Sequence, residues 1–359
     1  MVPIPPFHGI GTIATAKVSN ADGTGMTEQR KWVTMGDVAR QAGVGKITVS
    51  RALRTPGKVS PDTLTRVMTA VRDLGYVRDE TAGALSSQRS RIVGALVSTQ
   101  EQSVFATTIR GLEEGLRDGG LQLLLASTGY APETEAALIA TLLGRRPDAL
   151  VLTSSLHTPE ARRLLDGAGL PVFELWELPE DPVFAAVGFS NRAASRDMTR
   201  HLADKGRERI AFLRTDRPAD TRAEMRQQGY LDVVAEPRIL AVPPDPGLTG
   251  PDYGAQGLAR ILDRWPDTDA VVCVSDTLAL GAWCEAMRRG LPVPQRLALT
   301  GFGDTDFAGE SGIGLTTVRV DGDTIGRTAA AMILDATAGE DIPRRTVDLG
   351  YTLMLRGTA

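Results

Sequence analysis

VTMGDVARQAGVGKITVSRALRTPGKVSPDTLTRVMTAVRDLGY, residues 33–76, reads as three short helices joined by tight connections. Thr34 has the side chain of an N-cap, and Asp37 stands three residues on in a capping-box arrangement, so a helix is predicted over Met35 to Ala42. Gly43 ends it. A second helix spans about Lys46 to Leu53, where Val49 and Leu53, one turn apart, face Val38, Ala39 and Ala42. The third opens on Ser60 with Pro61 at its first position. It carries Leu64, Val67, Met68, Val71 and Leu74 at helical spacing until Gly75 stops it.

Gly43 permits the tight turn that sets the second helix across the first, a helix-turn-helix whose outer face can enter a major groove. On that face Ile47 and Arg51 are four residues apart and project together, with Lys46 beside them. Arg51 is the best base reader, because a guanidinium can pair bidentately with guanine O6 and N7. Thr34, Thr48 and Ser50 can donate to phosphate, Thr34 more as a cap than as a contact, and Arg54 is grouped with them as a DNA-contacting residue. Charge agrees: Arg30 to Arg91 holds 12 Lys and Arg against 5 Asp and Glu, a net +7, so the rest of a chain of net charge -4 carries -11. A basic segment on an acidic body suits contact of that segment alone with phosphate.

Before this block, residues 1–31 are rich in Pro, Gly, Thr and Ala without periodicity and are expected to be a disordered arm. They lack the charged start and apolar run of a signal peptide, and no stretch elsewhere is long enough to span a membrane. The two cysteines, Cys273 and Cys284, form no CxxC, so neither a disulfide framework nor a zinc site is expected, and a cytoplasmic setting fits. From Ile92 onward short apolar runs (IVGALV, LQLLLA, ALVLTS, PVFEL, AAVGF, RIAFL, DAVVCV, LALTGF) alternate with amphipathic helices, the rhythm of parallel sheets covered on both faces. So many strands over this length suit two doubly wound lobes.

Residues 33–76 resemble the headpiece of the LacI/GalR family of regulators over their whole length, through Asp-Val-Ala, the Ala-Gly-Val turn, Thr-Val-Ser-Arg, Val-Ser and the closing Leu-Gly-Tyr in order. In that family Lys46 and Ile47 stand where operator preference is set. Gly45 departs from the Ser or Thr that commonly caps the second helix there. The resemblance makes RDETAGALSSQRSR a hinge helix whose Leu85 wedges into the minor groove at the operator centre, or alternatively caps the effector core. Asp79 and Glu80 replace the usual Asn-Arg pair at its start.

Further along, VGFSNRAASRDMTRHLADKGRERIAFL, RQQGY, VVCVSDTLALGAW, LPVPQRLALTGFGD and LTTVRVDGDTIGRTAA resemble the family's periplasmic-binding-protein-like effector domain. The organisation this implies is an arm over 1–31, an all-α helix-turn-helix headpiece over 32–76, a hinge over 77–91 and an α/β effector domain over 92–359. The N-lobe takes about 92–190 and 320–345, and the C-lobe about 191–319 and 346–359. Arg226, three residues before Gly229-Tyr230, matches the family's ligand-holding arginine. Arg222, one turn earlier, is either a second ligand cation or a surface arginine. Ser275-Asp276 stands where Asn-Asp is common, and Gly303 stands where many sugar-binding members carry a hydroxyl-gripping Asp. Asp276 and Asp304 are alternatively braces for their loops. Two arginines and one missing acid suit an anionic ligand.

Trp176, between Glu174 and Glu177, either stacks on a ligand face or packs in the core. The Pro-rich segment from Val233 to Pro251 looks shorter than in relatives, which would trim the edge of the C-lobe. KITVSRALR, FELW, VGFSN, RQQGY and VDLGYTLMLRG are most similar to the gluconate-responsive branch of the family. The implied protein is a homodimeric repressor of a near-palindromic operator, with a sugar acid such as gluconate as effector and no cofactor. A dual regulator answering to a neutral sugar is the alternative. An enzyme lacks support, since no nucleophile elbow, P-loop, HExxH or Rossmann GxGxxG follows a strand, and His8, His157 and His201 are scattered. A transport-type sugar-binding protein would not carry the headpiece.

Overall fold

The computed structural model describes residues 32–77, 89–99, 103–245, 247–310, 312–340 and 346–359, so the arm and the hinge residues Asp79, Glu80 and Leu85 lie outside the described residues. The described residues fall into two compact units, one over 32–77 and one from 89 onward. In the first, α1 (Met35–Ala42), α2 (Lys46–Arg54) and α3 (Pro61–Leu74) follow the predicted spacing. The Asp37 amide donates to the Thr34 hydroxyl at 3.3 Å and the Thr34 amide to the Asp37 carboxylate at 2.9 Å, which satisfies donors that a helix start leaves orphaned. Gly43, at φ 64°, takes the left-handed conformation that ends α1. Val38, Ala42, Val49, Ala52, Val67 and Ala70 are buried between the three helices.

The second unit has two lobes. In the first lobe, β1 (Ile92–Val97), β2 (Gln122–Ser127), β3 (Ala149–Leu152), β4 (Val172–Leu175), β5 (Ala185–Gly188) and β11 (Thr346–Asp348) make one parallel sheet in the order β11-β5-β4-β3-β1-β2. Side chains alternate across it. Val93, Ala95 and Val151 pack with α4 (Ser103–Arg117) and α11 (Gly322–Ala338), whereas Leu96, Leu150 and Leu152 pack with α5 (Pro132–Leu143) and α6 (Pro159–Asp166). Burial on both faces is why the central strands read as unbroken apolar runs.

In the second lobe, β6 (Ile210–Thr215), β7 (Arg238–Val242), β8 (Ala270–Cys273) and β9 (Ala298–Thr300) form a parallel sheet in the order β7-β6-β8-β9. Its helices are α7 (Asn191–Asp204), α8 (Thr221–Leu231), α9 (Gly250–Arg264) and α10 (Asp276–Arg288). β10 (Thr317–Arg319) and β12 (Thr352–Met354) pair antiparallel as a separate ribbon. Among the described residues no helix is long and apolar enough to cross a membrane.

Two expectations need correcting. The stretch from 346 was assigned to the second lobe, yet β11 pairs with β5, so the first lobe keeps the chain as far as Asp348. Only the last residues reach the second lobe, where the Thr358 hydroxyl donates to the Leu299 carbonyl at 2.7 Å. The segment Val233 to Pro251 does not leave the second lobe short of an edge, because β7 lies within it and pairs along the whole of Ala211 to Thr215.

α4 and α11 approach closely enough that a Cβ built on Gly326 would stand 2.2 Å from the Thr108 carbonyl oxygen. Gly326→Ala is therefore expected to push the two helices apart and to destabilise the protein by about 1–3 kcal/mol, the range for overpacking a tight core. Urea unfolding measures this; an unchanged midpoint would show that the two helices separate without cost.

Candidate DNA-reading face and ligand cleft

On the first unit α2 turns Val49 and Ala52 inward, which leaves Lys46, Ile47 and Arg51 exposed together on the opposite side. Ile47 is 76% exposed, an apolar side chain with nothing in this unit covering it. Thr48 and Ser50 are half-buried, and Arg54 is exposed in the last turn of α2. The Thr34 hydroxyl is engaged in its cap, donating to the Asp37 carboxylate at 2.7 Å. Trp32, just ahead of that cap, is 89% exposed and had no pattern in the sequence to single it out.

In the second unit a cavity of about 640 Å³ opens where the carboxyl ends of β6 and β8 meet the first turns of α8, α9 and α10. This is the switch point of the sheet, since the chain leaves β6 for β7 on one side and β8 lies on the other. The N-terminal turns of three helices line the space and bring the positive ends of their dipoles to it. Arg217, Arg222 and Arg226 line it, together with Asp220, Asp245, Ser275 and, from the first lobe, Tyr130.

The two arginines on α8 differ in their partners. Arg222 is buried: its guanidinium donates to the Thr153 carbonyl, to Ser98 Oγ at 3.1 Å and to the Tyr130 hydroxyl at 3.4 Å, and it pairs with Glu177 at 3.4 Å. Burial works against its charge, but Tyr130 and Glu177 prevail and hold its pKa above the ordinary arginine value. Arg226 has neutral partners, donating to Asn191 Oδ1 at 2.9 Å and to the Val274 carbonyl at 2.7 Å, with its guanidinium 3.5 Å over the Phe302 ring. Among the described residues no carboxylate lies within ion-pair distance of it. Burial of the guanidinium, opposed by Asp220 and reinforced by the like charge of Arg222, brings its pKa down to about 10.

Ser275 lines the cavity while its hydroxyl caps α10, accepting from the Leu278 amide at 3.3 Å. Three other candidates lie elsewhere. Trp176 is a core residue: at φ 74° its backbone turns the ring inward, where it meets Phe105 and Phe189 edge-on and donates to Thr108 Oγ1 at 3.1 Å. The Asp276 carboxylate is buried and taken up by Thr317 at 2.5 Å and by Thr305 at 2.7 and 3.0 Å, so it braces loops. Gly303 sits at φ 131°, and a Cβ there would point at Val104 Cγ1, 3.1 Å away. The backbone needs glycine at that position, so its lack of an acid says little about the ligand.

One cluster went unnoticed in the sequence. His157 bridges Glu135 Oε1 at 2.7 Å and Glu174 Oε1 at 3.3 Å, all three buried, beside a first-lobe cavity of about 220 Å³. Burial opposes protonation of the ring, but the hydrogen bonds and charges of Glu135 and Glu174 outweigh it and lift the pKa to about 9.

A basic reading face on a three-helix unit and a ligand-sized cleft in a two-lobed α/β unit define a DNA-binding transcription regulator that responds to a small effector. The family model described as "Bacterial regulatory proteins, lacI family" matches residues 34–79, and "Periplasmic binding protein-like domain" matches residues 199–359. The chain is 33% identical to the HTH-type transcriptional regulator GntR of Pseudomonas aeruginosa, over 90% of this chain and 94% of that protein. It is also 33% identical to the regulator of the same name from Escherichia coli K12, over 92% of this chain and 99% of that one. A LacI family regulator from Silicibacter pomeroyi superposes with a TM-score of 0.82 at 30% identity, covering 91% of this chain and 99% of the other. The chain belongs to the LacI family of bacterial transcription regulators.

Two outcomes are expected of these sites. Arg51→Ala should lower discrimination between operator and random DNA by about 1–3 kcal/mol at fixed salt and leave effector binding intact; undiminished discrimination would remove Arg51 from base reading. For His157, a folded pKa raised to about 9 from the ordinary 6.5 gives stability that is fully present below pH 6.5 and is lost as pH rises through 9. Calorimetric melting temperatures should fall across that window, and His157→Asn should abolish the slope; a slope kept in the variant would place its origin elsewhere.

Proposed function

We propose that the chain is a repressor which binds a near-palindromic operator as a homodimer in the cytoplasm, its operator affinity changed by a sugar acid such as gluconate held in the 640 Å³ cavity. Lys46, Ile47 and Arg51 read bases in this account, Thr34, Thr48, Ser50 and Arg54 position on phosphate, and Leu85 wedges the operator centre. Arg226 carries the ligand reading. Its guanidinium faces the cavity, is depressed to about 10 by burial, and has only neutral hydrogen-bond partners. A ligand carboxylate would supply the missing charge in a place where helix N-termini already favour it. The similarity to the GntR regulators over nine-tenths of the chain supports a sugar acid of the gluconate class.

A neutral sugar is the second reading, favoured by Asp220 and Asp245, whose carboxylates line the same space and can accept from ligand hydroxyls. Calorimetry with gluconate and glucose separates the two. Gluconate is expected to bind and glucose to fail, and Arg226→Gln should weaken gluconate by about 10- to 100-fold, the worth of a charge-assisted hydrogen bond. Equal binding of both sugars, or a variant that binds gluconate as well as the parent, would overturn the acid reading.

A further inference from the structure

Glu177 is 1% exposed and stands two residues past the end of β4. Its carboxylate takes hydrogen bonds from the Ser155 amide and hydroxyl within the first lobe, and from Thr221 at 2.5 Å on the first turn of α8. It also pairs with Arg222, the next residue of that turn, at 3.4 Å. Arg222 lines the ligand cavity, so one of the cavity's guanidiniums is already neutralised by a carboxylate the protein carries itself.

Of the other charges around the space, Arg217 meets only a neutral ring and the two carboxylates hold backbone amides. Arg217 stacks on the Tyr130 ring at 5.3 Å, Asp220 caps α8 by accepting from the Ala223 amide at 3.1 Å, and Asp245 accepts from the Gly247 amide at 2.8 Å. Arg226, like Arg217, has no carboxylate within ion-pair distance among the described residues; its partners are Asn191, the Val274 carbonyl and the face of Phe302.

We propose that Glu177 is the specificity-setting residue of the site: by neutralising Arg222 it leaves Arg217 and Arg226 facing Asp220 and Asp245, so the cleft takes one ligand carboxylate, at Arg226, and rejects diacids of the same length. This rests on the sugar-acid reading of the cavity. A second ligand carboxylate would find Arg222 already paired and would face Asp220 and Asp245, and like charges brought together out of water are strongly unfavourable. Glutamine at 177 would keep the geometry of the acceptor and remove its charge, which releases Arg222 to a second anionic group. Glu177 acts through Arg222 and is a positioning residue.

The test is calorimetry on the full chain with gluconate, a monoanion, and glucarate, the dianion with the same carbon count. The parent protein is expected to prefer gluconate by about tenfold or more, Glu177→Gln to improve glucarate relative to gluconate by about tenfold, and Glu177→Asp to restore the parental preference. A ratio unchanged in Glu177→Gln, with gluconate still bound, would overturn the role of Glu177 and leave the sugar-acid reading standing. Absence of binding by either acid to the parent would overturn both. Should Glu177→Gln fail to fold, the parent decides: glucarate bound as tightly as gluconate would sink the proposal.

Discussion

A guanidinium taken out of water must be met by charge or by well-placed acceptors, or it costs several kcal/mol. α8 takes out two, one turn apart, and the cleft is arranged around how each is met. Arg222 is given a buried carboxylate, a carbonyl and two hydroxyls, all from the first lobe. Arg226 is given an amide oxygen, a carbonyl and the face of Phe302, which satisfy its donors and leave its charge unmatched. The same rule holds for His157, which stays buried because Glu135 and Glu174 flank it on both ring nitrogens.

The frame that sets these side chains is the pair of parallel sheets. A parallel strand returns through a helix, so strand carboxyl ends and helix N-termini gather at one edge of each lobe. The N-caps Asp220, Thr249 and Ser275 stand in the residues that begin α8, α9 and α10, and all three line the cavity. The cavity is thus a consequence of the topology, and the pull of its helix N-termini on negative charge comes from the backbone, independent of any arginine.

The headpiece was legible almost residue by residue, because its signals are local: Thr34 with Asp37 fixes where α1 starts, Gly43 where it stops, and Ser60-Pro61 where α3 begins. Eight of the ten strands in the two lobe sheets were legible as apolar runs; β7, where RILAV lies among prolines and has the half-buried pattern of an edge, and the short, mostly exposed β11 were not. What failed was long-range. Trp176 sits between two glutamates and reads as a loop, but its positive φ turns the ring into the core while the glutamates find buried partners. Asp276 matched a ligand position by motif, yet Thr305 and Thr317, 29 and 41 residues further on, take up its oxygens. No spacing rule links Glu177 to Arg222, which are 45 residues apart.

Because Arg222 and Arg226 ride on one helix, their different partners constrain what a ligand can do. The contacts of Arg222 join the second lobe to the first through groups the protein itself carries, so a ligand adds no partner there. What it can supply is charge at Arg226. A ligand shifts a conformational equilibrium only by the difference in its affinity for the two states. Any response to an acid that binds Arg226 would therefore be limited by how differently Arg226 is presented to the cleft in those states. An aldose, lacking the charge, would draw on hydroxyl contacts with Asp220, Asp245 and Ser275 of the second lobe and Tyr130 of the first.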